Sequence, residues 1–278
     1  MTGKEGVLKE RARAKAKPVD WPDVVYKVFC FLILAYLVLP VLLVIPTAFT
    51  ESFRITFPPQ GFSLQWFEKF FTNPLWIKAF KNSLIIAVTT CIISIGLAIP
   101  TSLAFRRRFR GKFSLRLLIL LPWFVPEILI GIGLLMFVPK IGLYGNYLSV
   151  IIAHTLWGLP ISFLIISTGL NSVDPALEEA ARTMGSSGPR VFFEVTAPLI
   201  KNALISASLF CFVLSFNEFV MSYFLCTPDI MTLPINIWSL LRTGFSPIVA
   251  ASSTVVVLIT LGELVLISRF IGFQTLYK

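Results

Sequence analysis

Residues Asp174 to Pro198 read DPALEEAARTMGSSGPRVFFEVTAP. The stretch is polar and carries glutamates in a chain that is otherwise mostly apolar. Asp174 suits a helix N-cap, because its carboxylate can accept a free N–H of the first turn. Pro175 suits the first helical position, which has no hydrogen-bonded N–H to lose. Gly185 suits the residue just past a helix end, where a positive φ is needed. These signals predict a short helix over Pro175–Met184. Leu177, Ala180, Ala181 and Met184 recur in it at helical spacing and share one face. That face is rich in small residues, so it can sit closely against a partner surface. Glu178 and Arg182, four apart, are expected to pair on the other face. An ordinary capped surface helix between membrane spans would carry the same local signals.

The rest of the chain sets the context. Of 278 residues, 56% are hydrophobic and only 14% charged, and the mean hydropathy is +0.84, which excludes an ordinary soluble domain. Six windows reach the roughly 20 apolar residues that a bilayer crossing takes. They are Val28–Phe49, Asn82–Phe105, Leu115–Val138, Tyr147–Leu170, Asn202–Leu225 and Ile248–Ile271. The predicted fold is therefore an all-α integral membrane protein with six transmembrane helices. Residues 1–23 form a basic tail. Residues 24–278 form the six-helix domain, with a polar loop at 171–200.

The net charge of +10 could point to nucleic acid, but its placement argues against it. With the N-terminus inside, 18 of the 24 Lys and Arg residues fall in the tail, loops two and four, and the C-terminus. That asymmetry is the positive-inside pattern, which places both termini in the cytoplasm. The run Arg106-Arg107-Arg108-Phe109-Arg110 reads as a topology anchor. The tail between Lys9 and Lys17 alternates basic residues with alanine, as a helix on the anionic inner leaflet or a solvated tail would. In loop one, Trp66, Phe67, Phe70, Phe71 and Trp76 beside Lys69, Lys78 and Lys81 suit a helix at the membrane interface.

Several chemistries are excluded. One histidine and four cysteines at no ligand spacing give no metal centre and no disulfide framework. Gly111-Lys112 is followed by Phe113 and lacks the glycine lead of a phosphate-binding loop, so ATP would have to be bound by another polypeptide. The first span is about twice as long as a signal-peptide core, and is read as retained.

Carboxylates inside a bilayer cost about 2.5–3.5 kcal/mol on insertion scales, so they face protein or water. Glu127 lies halfway along span three, just after Pro122 and Pro126, a pattern that suits a broken helix lining a cavity. Glu218 follows Asn217 in span five, Glu263 lies in span six and His154 in span four. Glu127 and Glu218 read as the lining of a solute path. Glu263 and His154 read as helix-packing groups. Phe216, Phe219, Tyr223 and Trp238 supply ring faces near Glu218 that could replace the hydration of an ammonium group.

Glu179-Ala180-Ala181, Gly185 and Val195-x-Ala197-Pro198 resemble the E-A-A-x3-G-x9-I-x-L-P loop of permease subunits in binding-protein-dependent ABC importers. Val195 and Ala197 stand for the family's Ile and Leu. Gly61-Phe62-Ser63-Leu64-Gln65-Trp66 is also similar to a stretch of that family. Ser215-Phe216-Asn217-Glu218-Phe219, Thr232-Leu233-Pro234-x-x-Ile237, Arg242-Thr243-Gly244-Phe245-Ser246-Pro247, Pro126-Glu127 and Ala153-His154-Thr155 look like the spermidine/putrescine-type permeases. The subfamily more often has Asp where this chain has Asn217.

The resemblance implies a type I importer permease in the bacterial inner membrane. Its partners would be a cytoplasmic ABC ATPase dimer, a second permease subunit (identical or a sister chain), and a periplasmic or lipid-anchored solute-binding protein, all in membrane lipid. No cofactor would be bound by this chain; ATP and Mg would sit on the ATPase subunits. Leu177, Glu178, Glu179, Ala180, Ala181, Met184 and Gly185 would couple to the ATPase. Glu127, Asn217, Glu218, Phe216, Phe219, Tyr223 and Trp238 would line the path. The expected solute is a polyamine or related organic cation, the alternatives being an opine, an amino-acid derivative or a sugar. Readings of a different class are an ion-coupled secondary transporter, which would use Glu127 and Glu218 directly, and a non-transporting membrane scaffold.

Overall fold

The computed structural model describes residues 21–244 and 246–271, and these contain helices and turns with no strand. Residues 1–20 of the basic tail, Phe245 and the last seven residues lie outside them. The chain divides into two compact units, Met1–Pro46 and Thr47–Lys278. The first is carried by α1 (Trp21–Thr47), 27 residues with Pro40 and Pro46 inside. At 1.5 Å per residue it is about 40 Å long, enough for a bilayer core of about 30 Å. It is already helical at Trp21, ahead of the expected Val28.

The second unit opens on a loop that Thr50 organises. Its hydroxyl donates to the Gln60 carbonyl and accepts the Gln60 N–H, while its own carbonyl accepts Trp66 Nε1–H at 2.8 Å. The short helix α2 (Gln65–Thr72) follows. Rather than spreading all its rings at an interface, α2 buries Trp66 and Phe70 against Trp76 and the Phe80 region, leaving Phe71 exposed. Then comes α3 (Pro74–Arg106), 33 residues long. Its N-cap is Asn73, whose side chain accepts the Leu75 N–H at 2.9 Å, with Pro74 in the first turn. The helix thus starts well before Asn82, the expected boundary.

Span three is broken. The helices α4 (Lys112–Phe124) and α5 (Glu127–Ile141) meet at 97°. Val125 and Pro126 between them are extended, as the residue before a proline prefers. The expected single window Leu115–Val138 is therefore two helices, with the break placed where the prolines fall. α6 (Tyr147–Asn171) is continuous through Pro160. α7 (Pro175–Thr183) is the helix of the polar loop. α8 (Gly188–Leu199), with a π turn at Phe192–Thr196, bends by 79° into α9 (Lys201–Phe216).

The fifth window, Asn202–Leu225, is also not one helix. α9 ends at Phe216 and α10 (Val220–Leu225) starts afresh. The cause is Glu218, whose carboxylate accepts the N–H groups of Met221 and Ser222 and so caps a new helix start. α11 (Leu233–Thr243) and α12 (Pro247–Ile271) complete the chain.

The centre is formed by α3, α6 and α9, which pack on one another, with α12 and α10 against them. Membrane helices gain little from apolar burial against each other, so close approach of small residues supplies the packing. A Cβ on Gly158 would stand 2.6 Å from Cys211 Sγ, and one on Gly169 2.5 Å from Ala203 Cβ. Any side chain at either site would push α6 off α9.

Candidate functional site

The end of the bundle that carries α7 matches the local expectation closely. The Asp174 carboxylate accepts the Ala176 N–H at 2.9 Å, and Gly185 adopts φ +88°. The helix stops at Thr183, with Met184 as its C-cap rather than its last residue. Leu177 is 48% and Met184 87% exposed, so the predicted apolar face is open. Ala180 and Glu179 are exposed and Ala181 is half-buried.

The predicted Glu178–Arg182 pair is absent. Glu178 Oε1 instead accepts Arg106 Nη1 at 2.6 Å and Thr196 Oγ1 at 2.8 Å. Arg106 Nη2 also donates to the Val173 carbonyl at 3.4 Å. Arg106 closes α3 and Thr196 lies in the π turn of α8, so the carboxylate finds partners from two other elements. Burial pushes the Glu178 carboxyl up, but the hydrogen bonds from Thr196 and Arg106 and the Arg106 charge outweigh it, holding the group below the usual carboxylate range. A cleft of about 380 Å³ lies here, between Leu103 and Arg107 on one side and Pro175, Arg182 and Phe192 on the other.

The predicted path residues separate into three groups. Asn217, Phe219 and Trp238 line one cleft of about 410 Å³, formed by the break in span five with α11 and α12. Tyr223 and Trp238 line an adjoining cleft of about 370 Å³, which also holds exposed Arg242. The rings form one cluster: Phe219 is 5.5 Å from Trp238 and 5.7 Å from Tyr223. Asn217 donates to the Val213 carbonyl at 3.0 Å and to Thr260 Oγ1 at 3.4 Å.

Phe216 stands apart from that cluster. It is 1% exposed, stacked on Phe212 and edge-on to Phe80 in the core.

Glu218 and Glu127 form the third group. Glu218 is 6% exposed and its two oxygens are fully engaged. They take the N–H groups of Met221 (2.6 Å) and Ser222 (3.0 Å) and the Ser222 hydroxyl (2.7 Å), while His154 Nε2, 2.9 Å from Ser222 Oγ, lies 3.0 Å from Oε2. His154 Nδ1 lies 2.7 Å from Ser215 Oγ. His154 is thus the packing group expected, tying α6 to both sides of the break. Glu127 opens α5 and is half-buried. α5 lies tight on α10, where a Cβ on Gly131 would stand 2.6 Å from the Phe224 ring. Glu263 Oε2 is buried with no hydrogen-bond partner among the described residues.

Sequence reasoning missed a second set of polar ties at the opposite end of α3. Asn82 Nδ2 donates to the carbonyls of Asp229 (3.2 Å) and Met231 (2.9 Å), and Tyr147 donates to Asn82 Oδ1 at 2.6 Å. Ser83 Oγ accepts the Leu233 N–H at 2.8 Å. These bonds fix the start of α11 and hence Trp238. Among the described residues no cluster of His, Cys, Asp and Glu could hold a metal ion.

Residues 94–267 match the family described as the binding-protein-dependent transport system inner membrane component. The chain is 30% identical over 239 residues to the spermidine/putrescine transport system permease protein PotC of Haemophilus influenzae, covering 86% of this chain and 93% of that protein. It is 29% identical over 229 residues to the putrescine transport system permease protein PotI of Escherichia coli, covering 80% and 81%. Among solved structures, a bacterial ABC transporter involved in import of the acidic polysaccharide alginate matches 92% of this chain and 96% of its own, with TM-score 0.67 at 15% identity. An amino acid ABC transporter solved with histidines matches 74% and 96%, with TM-score 0.55 at 17% identity. At such identities the structures speak to the fold alone.

Proposed function

The chain belongs to the family of binding-protein-dependent transport system inner membrane components, and on that premise we propose that it carries a polyamine or related organic cation. As an ABC importer permease it is a non-catalytic, inner-membrane subunit for small-solute transport. That assignment removes the ion-coupled and scaffold readings. ATP would be hydrolysed by separate cytoplasmic subunits that press on α7, and a binding protein would deliver solute at the opposite end. A second permease, identical or a sister chain, would complete the path.

The observation that carries the solute class is the likeness, over four-fifths or more of each length, to permeases named for spermidine and putrescine. The cleft supplies suitable chemistry. Phe219, Tyr223 and Trp238 offer ring faces, worth about 0.5–2 kcal/mol each to a desolvated cation, and Asn217 offers an amide oxygen. Glu218 and Glu127, expected in the path, are not among the residues that line these clefts.

The test is uptake by the complete complex in proteoliposomes with labelled putrescine, spermidine, a sugar and an anionic amino-acid derivative. ATP-dependent uptake of an amine is the expected result. Trp238→Ala should raise KM for it by about 2–30-fold. Uptake of neutral or anionic solutes only would refute the assignment.

A further inference from the structure

One carboxylate oxygen ties α7 to both α3 and α8. Glu178 Oε1 receives both Arg106 and Thr196, and the pair is largely withdrawn from solvent, with Arg106 17% and Glu178 14% exposed. Thr196 is 2% exposed. None of the residues of α7 itself is buried, so the helix has no apolar core of its own to anchor it. A withdrawn ion pair of this kind resists single-partner removal far more than a surface pair does, because removal strands the other charge.

The two partners lead to opposite walls of the ring-lined cleft. Thr196 ends the π turn of α8, which bends into α9, and α9 runs directly to Asn217 and Phe219. Arg106 is the last residue of α3. The far part of α3 grips the segment before α11 through Asn82 and Ser83, and α11 carries Trp238. α3 is 33 residues, about 50 Å of one helix with Pro100 inside it. Each wall is therefore joined to the same oxygen through one long helix, α9 on one side and α3 on the other.

We propose that Glu178 is the positioning residue through which displacement of α7 reaches both walls of the cleft. The proposal rests on the reading of α7 as the ATPase contact. It separates two neighbouring glutamates: Glu179 is exposed on the outside of α7, and Glu178 faces inward to the permease. A rigid body acting at one junction with two diverging levers changes the spacing between Asn217 and Trp238. That is the physical content of coupling between distant sites, and it needs a functional test rather than spatial adjacency alone.

The experiment measures solute uptake per ATP hydrolysed, in proteoliposomes holding the complete complex. Glu178→Gln keeps the shape of the side chain and removes its charge. It should lower uptake per ATP by about tenfold, with Arg106→Gln similar and Thr196→Val intermediate. The reversed pair, Arg106→Glu with Glu178→Arg, should recover uptake per ATP to within about threefold of the parent, which a general loss of folding would not allow. Undiminished uptake per ATP in Glu178→Gln, or a reversed pair no better than either single variant, would overturn the proposal. Failure of the underlying reading looks different: no crosslink forms between Ala181→Cys and the ATPase in the complex whose Arg106–Glu178 pair is intact.

Discussion

His154 Nε2 lies 3.0 Å from Glu218 Oε2, with the two side chains 1% and 3% exposed, at the point where span five breaks. The carboxylate closes one helix start, and the imidazole holds that start to α6. A group engaged on all sides works by placing its neighbours, here Phe219 on one side and Tyr223 on the other.

Glu218→Ala should strand two backbone N–H groups in the membrane interior and take the carboxylate away from His154, whose Nε2 keeps Ser222 Oγ at 2.9 Å. A loss of about 3–5 kcal/mol is expected, read as a fall of about 6–12 °C in the unfolding midpoint of the solubilised protein. His154→Ala should cost a similar amount. The double variant should fall short of the sum by about 1–3 kcal/mol, because the two act as one network. Additive losses would show that the pair contributes nothing beyond its separate contacts.

Gly185 adopts φ +88° with nothing within 4 Å of the point where a Cβ would stand, so a side chain there meets strain and not a clash. Gly185→Val should therefore cost about 1–2 kcal/mol, loosen the end of α7 and reduce ATP-driven uptake. Gly185→Asn should keep most of the activity, since Asn tolerates this backbone. Immunoblots of membranes should show both variants inserted at parental levels. Full uptake by Gly185→Val would remove the turn from the mechanism.

Glu178 has a folded pKa below its unfolded one. Its stabilising contribution is thus fully present above about pH 4.3 and is lost as pH falls through the folded value. The thermal stability gap between the parent and Glu178→Gln should stay constant from about pH 5.5 to 8 and close below about pH 4. A gap that closed on raising the pH would reverse the assignment of charge.

Reporter fusions at Lys112 and Ser186 should read cytoplasm, and fusions at Gln60, Tyr144 and Asp229 the outer side. The distribution of Lys and Arg sets this orientation. An outer signal at Ser186 would place α7 beyond reach of any cytoplasmic ATPase.

Features governed by neighbours along the chain are legible in the sequence itself. Asp174 and Gly185 mark the two ends of α7 because capping and positive φ are local requirements. Pro126 marks the break of span three for the same reason. The N-cap at Asn73 followed by Pro74 is equally readable, but hydropathy draws attention to Asn82 instead. The break in span five has neither Pro nor Gly to announce it. It depends on a carboxylate turning back onto Met221 and Ser222 while His154, 64 positions away in the chain, holds it from outside. The partnership of Arg106 and Glu178 spans 72 residues, and a basic run beside a membrane span looks the same whether one member is buried or none. Pairing at i, i+4 is the simpler local expectation, and the tertiary partner displaces it.

The 97° bend between α4 and α5 bears on how the protein is made. The first arm, Lys112–Phe124, is about 20 Å long and the second is little longer, so neither alone crosses a hydrocarbon layer of about 30 Å. The second arm rests on α10, where Phe224 fills the space left by Gly131. On the ribosome α10 emerges long after α5. The third segment therefore gains this support only when the fifth has been synthesised, so its bent form is completed late in the making of the chain.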